Sequence, residues 1–599
     1  REGLPPMRSS FMGLTTLLRA LQAQQAAMDV TNQNIANANT VGYTRQEAKL
    51  VQTAPHAGSG YNRPVGGGLM MGTGVMVSEI LRQRDSFVDQ QLRTETAQQK
   101  RWQVVSDGVQ QVEALFNEPS TNGLGNQLTT FFNAWSELST NPGSATARAQ
   151  LQTQAQTVVA AFQDLSQQLE AFRQNQDFRL TSVVSEVNDL STQIASLNLQ
   201  IRRSTAVGDN PNDLMDARDR LIDQVVTLTG ATYQEQPDGS ATVRLGGRIL
   251  VDGTKANALL AELTPKVSGQ ASHTVQWAPG GTAVAGLGGT IGALIHLRDG
   301  VVADKVSKLN LLASTLVTSV NAQHAQGRGT GIYASSTTNT DFFDTQRTAT
   351  PLRQTGLGDT LVAGRFTVGT TSITIDPATD SLDTVMGKIT TAAGGGATWN
   401  LDATTGRIVI SSTNAVSWGS ASDTSNFLQV TGLAASGVTG TSPRVYTSAF
   451  PLGIVKAATL SLDPLVASDV QAIRASGTTT TNGVTSSAGA GDSSNALKIV
   501  GLATTQWAAL GSATFDDYYA SMIGSLGIES RQATQMATNQ TALVDHLTAR
   551  RESASGVNLD EEAAQLIRFQ RAYQAAARGI TALDELLSMT INSMGRVGL

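Results

Sequence analysis

The sequence predicts a multidomain α+β protein in which terminal heptad helices form a coiled-coil stem, an inner layer is a helical bundle, and β-rich domains project outward. Three observations support this prediction. Both ends of the 599-residue chain carry a narrow apolar stripe at heptad spacing, the adjoining segments are also helical, and the centre is rich in Thr, Ser and Gly with short alternating stretches. A chain of this length is expected to contain several domains.

The two ends of the chain have the same apolar periodicity. A spacing that alternates between three and four residues is typical of a coiled-coil seam. A helix cannot bury such a stripe by itself, so we expect each stripe to pack on the other end of this chain or on neighbouring chains. The N-terminal stripe is Leu14, Leu17, Leu21, Gln24, Met28, Thr31 and Ile35, and the C-terminal stripe is Leu566, Phe569, Tyr573, Ala576, Ile580, Leu583, Leu587, Thr590 and Met594.

A second helical layer is predicted inside the terminal helices. Apolar residues follow heptad spacing from Val158 to Phe172 and again from Val183 to Ile201, and the two stretches are out of phase near Gln176. A four-residue stutter produces such a phase change. A further long helix is predicted for residues 515–553.

The centre of the chain predicts strands and turns instead. A Pro-Asp-Gly turn at 237–239 lies in a β-rich stretch from 231 to 290, and a helix is predicted for 291–323. Residues 475–492 are poor in apolar side chains and are predicted to be an exposed loop or linker. The predicted domains are an N-terminal axial helix with an extended segment (1–100), a helical core domain (101–230), a β-rich segment with its following helix (231–330), a β-rich outer insertion (331–475), a loop or linker (476–500), a long core helix (501–556) and a C-terminal axial helix (557–599).

Composition narrows the classes of protein that fit. The formal net charge of −6 is small for 599 residues, so it favours neither nucleic-acid binding nor an acidic tail. The chain has no Cys, which excludes disulfides and thiolate sites. No apolar run reaches the roughly 18 residues that a membrane span requires. The first residues lack a continuous apolar core, so we expect any export to proceed without a cleaved signal peptide.

The sequence offers little for catalysis. The five histidines are scattered, no phosphate-binding loop is present, and Gly72–Gly74 is interpreted as a turn before a strand. Four aspartates at spacings of three, three and four could share a helix face, but Arg218 and Arg220 lie among them. Such a face is usually a solvated, ion-paired surface, so we predict no catalytic, cofactor or metal site. The aspartates are Asp213, Asp216, Asp219 and Asp223.

The acidic residues near position 560 have a structural interpretation. Asn558 suits an N-cap and Glu561 stands three residues later, which is the capping-box pattern. Asp560, Glu561 and Glu562 would then lie in the first helical turn, where the helix dipole favours negative charge. Tyr43 and Tyr573 are interpreted as packing residues.

Segments at both ends resemble one known family. The Asn-rich stretch at 34–46 (NIANANTVGYTRQ), the stretch at 72–95 and the C-terminal stretch at 555–594 resemble the rod, hook and hook-associated proteins of the bacterial flagellum. The segments at 288–299, 320–327 and 555–566 are similar to the hook-associated group. Residues 364–389 are similar to a small β-rich insertion motif of flagellin and hook proteins.

The resemblance agrees with the chemistry of the Asn-rich stretch. Asn tolerates turns, and its amide both donates and accepts hydrogen bonds, so the cluster can hold an irregular backbone and bond to neighbouring chains. Gly42 would permit a bend with positive φ.

The resemblance implies a structural subunit without enzymatic activity at the junction between hook and filament. Its expected partners are copies of itself in a ring or tube, the hook protein, an adjacent junction protein on the filament side, and an export chaperone on the C-terminal region. It implies no cofactor, no nucleic acid, and an extracellular place in the flagellum, reached by type III export. The expected assembly interface comprises Leu14, Leu17, Leu21, Met28, Ile35, Asn37, Asn39, Thr40, Gly42, Tyr43, Asn558, Leu559, Leu566, Phe569, Tyr573, Ile580, Leu583 and Leu587.

Three alternatives stay open at this point. Within the family, a hook or rod protein is the nearest competitor. An extracellular adhesin would use the Thr/Ser/Gly-rich centre, although an adhesin has no need for matched heptad ends. An enzyme carried in the insertion is the third, although residues 330–475 show no reactive constellation.

Overall fold

The structure is a computed structural model of the 599-residue chain. It describes residues 12–57, 70–264, 272–334, 341–344, 352, 361–394, 396–401, 408–419, 422–431, 433, 437–439, 444–447, 456–481 and 484–594. The predicted multidomain α+β fold is confirmed: long helices at both ends and in the core carry several small sheets.

The two ends of the chain pair with each other. Helix α1 (Met12–Ala36) runs antiparallel to α13 (Leu559–Met594), and together they form what we call the stem. A Cβ placed on Gly13 would lie 3.2 Å from Leu583, and one placed on Gly579 would lie 3.0 Å from Leu17. The prediction that each stripe needs a helical partner is therefore confirmed within one chain.

The predicted stripe of α1 is not the part of the helix that is buried most deeply. Leu14, Leu17, Leu21, Met28 and Ile35 are half-buried. The helix is buried instead along a neighbouring row of mostly small residues, which shares Thr31 with the predicted stripe. The leucine row contacts α13, since Leu17 lies against Gly579 and Gly13 lies against Leu583, and one partner helix covers that row only in part. The buried row is Ala23, Ala27, Val30, Thr31 and Asn34.

A narrow β-ribbon lies along α1. Strands β1 (Gln46–Gln52) and β4 (Val75–Arg82) pair antiparallel, and β2 (His56–Ala57) pairs with β3 (Met70–Met71). Residues 72–74, predicted to form a turn, are an irregular connection between β3 and β4, and Gly74 has φ +113° where it approaches Thr16 of α1. The ribbon leads the chain from the stem into the helical core.

The helical core is built around one very long helix. Helix α4 (Ala145–Ala206) is continuous, so the two predicted heptad stretches belong to one helix, and their change of phase at the buried Gln176 does not interrupt it. Side chains of α4 bond to backbone carbonyls along its length: Gln152 to Val466, Gln163 to Leu460 and Asn198 to Ala241. The other core helices are α2 (Ser86–Phe116), α3 (Leu124–Thr140), α5 (Asn212–Thr229) and α12 (Phe515–Ser555).

The strands predicted between residues 231 and 290 are present and pack on α4. A four-stranded antiparallel sheet and a hairpin precede the predicted helix, which begins as α6 and continues through a π-helical turn (His296–Val302) into α7. The sheet contains β5 (Thr232–Glu235), β6 (Ala241–Leu245), β7 (Arg248–Asp252) and β8 (Lys255–Ala256), the hairpin contains β9 (Leu259–Thr264) and β10 (Ser272–Trp277), and the helices are α6 (Gly289–Ile295) and α7 (Ala303–His324).

The insertion has a hydrophobic core of its own. The described residues from Leu352 to Tyr446 form a cluster separate from the main core, centred on Phe366, Met386 and Phe427. The motif at 364–389 folds as a β-hairpin followed by a helix. The elements are β11 (Gly364–Val368), β12 (Thr371–Ile375), α8 (Leu382–Ala393), β13 (Thr398–Leu401), β14 (Ile408–Ser412), β15 (Trp418–Gly419), α9 (Phe427–Thr431), β16 (Gly437–Thr439) and β17 (Arg444–Thr447).

Residues on both sides of the insertion core belong to the main core, so the outer insertion predicted for 331–475 is too long at both ends. Phe342, Phe343, Leu460 and Ile473 are all buried in the main core, and Arg148 of α4 donates to the carbonyl of Ile473. The prediction of a loop over 475–492 is wrong for the described part, because β18 and β19 form an exposed hairpin there. The elements are α10 (Pro464–Ser468), β18 (Thr478–Thr481), β19 (Val484–Ser487), α11 (Ser494–Gly501) and short 3-10 turns at Gly331–Ala334, Ala457–Thr459, Val470–Ala472, Leu502–Thr504 and Ala508–Leu510.

The two ends of the insertion enter the core side by side. The amide of Asp344 donates to the carbonyl of Ser461 at 2.9 Å, and the amide of Asp463 donates to the carbonyl of Phe342 at 3.0 Å. We expect a Gly/Ser linker in place of residues 345–455 to leave the melting temperature of the helical core unchanged. Replacing 335–475 should lower it strongly, since that removes Phe342, Phe343 and Ile473 from the core. Calorimetry of both variants checks the prediction, and equal melting temperatures would contradict it.

Candidate assembly surface and joint

Most residues predicted for the assembly interface lie on the two helices of the stem. On α13, the predicted interface residues that face α1 are half-buried: Leu566, Phe569, Tyr573, Ile580, Leu583 and Leu587. Other apolar side chains of α13 are largely exposed, including Leu559 at 53% and Ile567 at 51%. One partner helix therefore covers only part of the apolar surface of the stem, and the remainder is available to other chains.

The Asn-rich turn after α1 is held by its own side chains. Asn37 donates to the carbonyl of Gln33 at 3.0 Å, and the hydroxyl of Thr40 donates to Asn37 Oδ1 at 3.1 Å. Gly42 has φ +79°, so the predicted positive-φ bend is confirmed. Asn39 is exposed. The amides thus hold an irregular backbone, as expected, while Asn39 is left on the surface.

Asn34 makes four hydrogen bonds in this region, although it was not among the predicted interface residues. It is 1% exposed. Its Nδ2 donates to the carbonyl of Gln46 at 2.8 Å and to Glu562 Oε2 at 3.0 Å. Its Oδ1 accepts from the Tyr43 hydroxyl at 2.9 Å and from the Gln46 amide at 2.9 Å. The high density of Asn between 32 and 39 was the sequence signal that could have indicated it.

Glu562 was predicted to help start a helix, and the structure gives it a second role. Asn558 caps α13, because its Oδ1 accepts from the amide of Asp560 at 3.0 Å. Asp560 and Glu561 are exposed on the first turn as expected. Glu562 is 1% exposed, and besides Asn34 it accepts from Arg45 Nε at 2.7 Å. A first-turn acid therefore also ties α13 to the residues that follow α1.

The predicted solvated aspartate face is wrong at its centre. Asp216 and Asp219 are buried, and arginines from the ribbon reach them. Arg82 Nη1 lies 2.9 Å from Asp216 and 3.0 Å from Asp219, and Arg84 also pairs with Asp219. The prediction of ion pairing is correct, but the arginines come mainly from outside the helix. The described residues contain no cluster of three His, Asp or Glu side chains that could hold a metal ion.

Electrostatics at this site follow from burial and ion pairing. Burial acts to raise the pKa of Asp219, but Arg84, Arg218, Arg82 and Arg93 outweigh it and lower the pKa. Burial, together with the nearby carboxylates Asp213, Asp216 and Glu562, raises the pKa of Tyr43 far above its ordinary value, so Tyr43 stays a neutral hydrogen-bond donor. The buried charges are therefore compensated by opposite charges, as interiors require.

Residues Tyr43 to Gln46 cross from the stem to the core with alternating contacts. Tyr43 and Arg45 bond to Asn34 and Glu562 of the stem. Thr44 donates through its hydroxyl to Asp216 Oδ1 at 2.8 Å and through its amide to Asp216 Oδ2 at 3.0 Å. Gln46 Nε2 donates to Asp213 at 3.0 Å. We call the four residues 43–46 the splint, since the stem and α5 lie on its two sides.

The bend at Gly42 can be tested directly. We call the region where the stem meets the helical core the joint. We expect Gly42→Ala to destabilise the joint by about 1–2 kcal/mol, because an L residue is strained at positive φ. Arg220, which lies against Gly42, is long and exposed and can move aside. The amides of Tyr43 and Thr44 should then exchange with solvent roughly five- to thirtyfold faster in hydrogen-exchange measurements. Gly72→Ala, which meets nothing within 4 Å, is the control, and equal exchange in both variants would contradict the prediction.

No described helix is long and apolar enough to cross a membrane.

Three segments of the chain match known protein families. Residues 109–343 match the flagellar hook-associated protein FlgK helical domain. Residues 551–594 match the C-terminal region of the flagellar basal body rod FlgEFG proteins, and residues 14–44 match the flagella basal body rod protein family. The matched segments together cover just over half of the chain and include both stem helices.

Several characterised proteins are similar over nearly the whole chain. Flagellar hook-associated protein 1 of Bacillus subtilis is 29% identical, with 98% of this chain and 99% of that protein covered. The Escherichia coli protein of the same name is 26% identical, with 97% of this chain and 99% of that protein covered. The solved structure of the flagellar hook junction protein FlgK from Burkholderia pseudomallei shares the fold, with a TM-score of 0.53 at 18% identity, covering 78% of this chain and all of that one.

Proposed function

Because the chain belongs to the flagellar hook-associated protein 1 family, we propose that its stem is the part by which it assembles at the junction between hook and filament. The protein is a structural subunit of the bacterial flagellum. The observation that carries the proposal is the half-covered apolar surface of the stem, which one chain alone cannot bury.

Neighbouring copies would complete the burial of the stem. Exposed apolar residues of α13, such as Ile567 and Leu559, would face the stems of adjacent subunits. Head-to-tail contacts of this kind generate rings or open tubes, which suit a layer between two tubular structures. The predicted interface residues of α1 and α13 would therefore line the inner, axial part of the assembly.

The partners follow from the position in the flagellum. The hook protein would lie on one side, and an adjacent junction protein on the filament side. Export would proceed unfolded through the type III channel, with a chaperone on the C-terminal region until assembly. The absence of Cys is compatible with this route.

The alternatives have less support. The match of residues 109–343 to the FlgK helical domain favours a hook-associated protein over a hook or rod protein. An adhesin has no need for a stem that joins the two ends of the chain. An enzyme carried in the insertion would use residues 330–475, in which the sequence shows no reactive constellation.

Two experiments test the proposal. The purified chain should bind to isolated hooks from a strain that lacks its own junction protein, and those hooks should then accept filament. Gold-labelled antibody should mark intact flagella at the boundary between hook and filament. Label along the filament, or a chain that binds no hooks, would refute the junction role.

A further inference from the structure

We infer that the splint, residues 43–46, fixes the angle between the stem and the helical core, and that Glu562 and Asp216 are the positioning residues that hold its two sides. This inference deepens the proposed function, because a subunit at a junction must present its axial helices in a defined direction. It rests on the alternating side-chain contacts of the splint and on the two stretches of chain that connect the stem to the core.

Only two stretches of chain connect the stem to the core. One leads from the end of α1 at Ala36 to β1, and the other leads from the end of α12 at Ser555 to the start of α13 at Leu559. The second includes Gly556, a residue type with high backbone freedom. Two short connections without further bonds would allow the stem to swing, so the contacts around them decide whether the joint is rigid.

The splint bonds to both the stem and the core, because alternate side chains of an extended chain point to opposite sides. The side chains of its odd residues bond to the stem: Tyr43 to Asn34, and Arg45 to Glu562. The side chains of its even residues bond to α5: Thr44 to Asp216, and Gln46 to Asp213. The Gln46 backbone bonds to Asn34 as well. A slip by one residue would exchange the two sets of side chains and break these side-chain bonds.

The splint also joins the two connections to each other. The amide of Arg45 donates to the carbonyl of Ser555 at 3.0 Å, at the last residue of α12. The carbonyl of Arg45 accepts from the amide of Gln83 at 2.9 Å, at the end of the ribbon. Arg45 therefore touches both routes between stem and core as well as Glu562 of α13.

The side chains that make these contacts are buried, which makes their loss costly. Glu562 and Asn34 are each 1% exposed, and Thr44 is 7% exposed. An exposed ion pair would contribute little, whereas a buried carboxylate that loses its partner is strongly disfavoured. Neutralising Glu562 would leave Arg45 without its carboxylate, and removing the Thr44 hydroxyl would take one donor from the buried Asp216. We therefore expect either change to loosen the stem against the core without unfolding them.

The absence of Cys makes a distance measurement straightforward. Cysteines introduced at the exposed Gln22 of α1 and Gln224 of α5 would carry spin labels on the stem and the core. The labelled chain is bound to hooks, and the distance distribution between the labels is measured by pulsed electron paramagnetic resonance. We expect a single narrow distance for the native splint, and loss of that narrow distance in both Glu562→Gln and Thr44→Val.

Glu561→Gln is the matched control, since Glu561 is the exposed neighbour of Glu562 in the same helical turn. It should keep the narrow distance. A narrow native distance in either Glu562→Gln or Thr44→Val would overturn the inference, because the first removes the carboxylate paired with Arg45 and the second removes the hydroxyl bond to Asp216. Loss of hook binding by both variants with unchanged circular dichroism, while the control still binds, would support it.

A chain that has no junction role would give a different result from a chain that lacks a rigid splint. If the native chain itself bound no hooks, the junction role would be refuted, and the same distances would then be measured on the free chain. A broad distance in the native chain would overturn the splint, whereas a narrow one that is lost in the two variants would support it.

Discussion

Cells that carry Leu17→Asp in the stem should shed their filament protein into the medium and retain bare hooks. Leu17 lies on the side of α1 that faces α13, close to Gly579. An aspartate there would place a charge in the apolar contact between the two helices, and once neighbouring stems cover it in the assembly the cost is expected to reach several kcal/mol. The stem should then fail to pair, and its assembly surface would be lost.

Three measurements decide this prediction. Electron microscopy counts hooks with and without filaments, a blot of the medium reports secretion of the variant, and calorimetry reports the melting of the core. The core should melt as in the native chain, because Leu17 lies outside its cluster. Gln25→Asp adds the same charge on the exposed side of α1 and is the control. A Leu17→Asp strain with normal filaments would contradict the role of the stem.

Asp219→Ala should destabilise the core by about 3–5 kcal/mol, because it leaves buried arginines without their partner. Arg218 is completely buried and lies 3.1 Å from Asp219, and Arg82 lies 3.0 Å from it. Urea denaturation measures the free energy of unfolding. Asp209→Ala changes an exposed aspartate shortly before α5 and should cost little. Equal free energies for the two variants would show that the arginines are neutralised in another way.

Asp219 should also make the free energy of unfolding depend on pH. The pKa of Asp219 is lowered in the folded chain, so its contribution is fully present above its unfolded pKa of about 3.9. That contribution is lost as the pH falls through the folded pKa. The native chain should therefore lose more stability than Asp219→Ala between neutral and acidic pH. A parallel loss in both proteins would mean that other carboxylates dominate.

The sequence allowed the helices to be predicted better than their contacts. Heptad spacing predicted both terminal helices and their need for a partner, because periodicity along one helix reveals which side is apolar. It could not reveal that Ala23 and Ala27 are among the most deeply buried residues of α1, since small residues add little to an apolar pattern. Which residues of a helix are buried most deeply depends on the segment that packs against it. For α1 that segment lies more than 500 residues away in the sequence, as the hydrogen bond from Asn34 to Glu562 shows.

The candidate site was predictable only in part for the same reason. Gly42, Asn37 and the Asn558 cap act through neighbours in sequence, so local rules predicted them. Asp216 was assigned to a solvated face because the arginines beside it in sequence suggested surface pairing. Its actual partner Arg82 lies 134 positions earlier and buries it. Likewise, the helical start predicted for Glu562 is observed, but its contact with Arg45 spans 517 positions.

The cross-links of α4 have a consequence for how this protein can evolve. A helix of 62 residues extends about 93 Å, and its side chains bond to neighbouring segments at several points along its length. Those bonds end on main-chain oxygens, at Val466, Leu460 and Ala241. Every amino acid supplies the same oxygen, so side-chain changes at those three positions leave the acceptors in place. Substitutions would therefore be tolerated at these acceptor positions more readily than at Gln152, Gln163 and Asn198 of the helix.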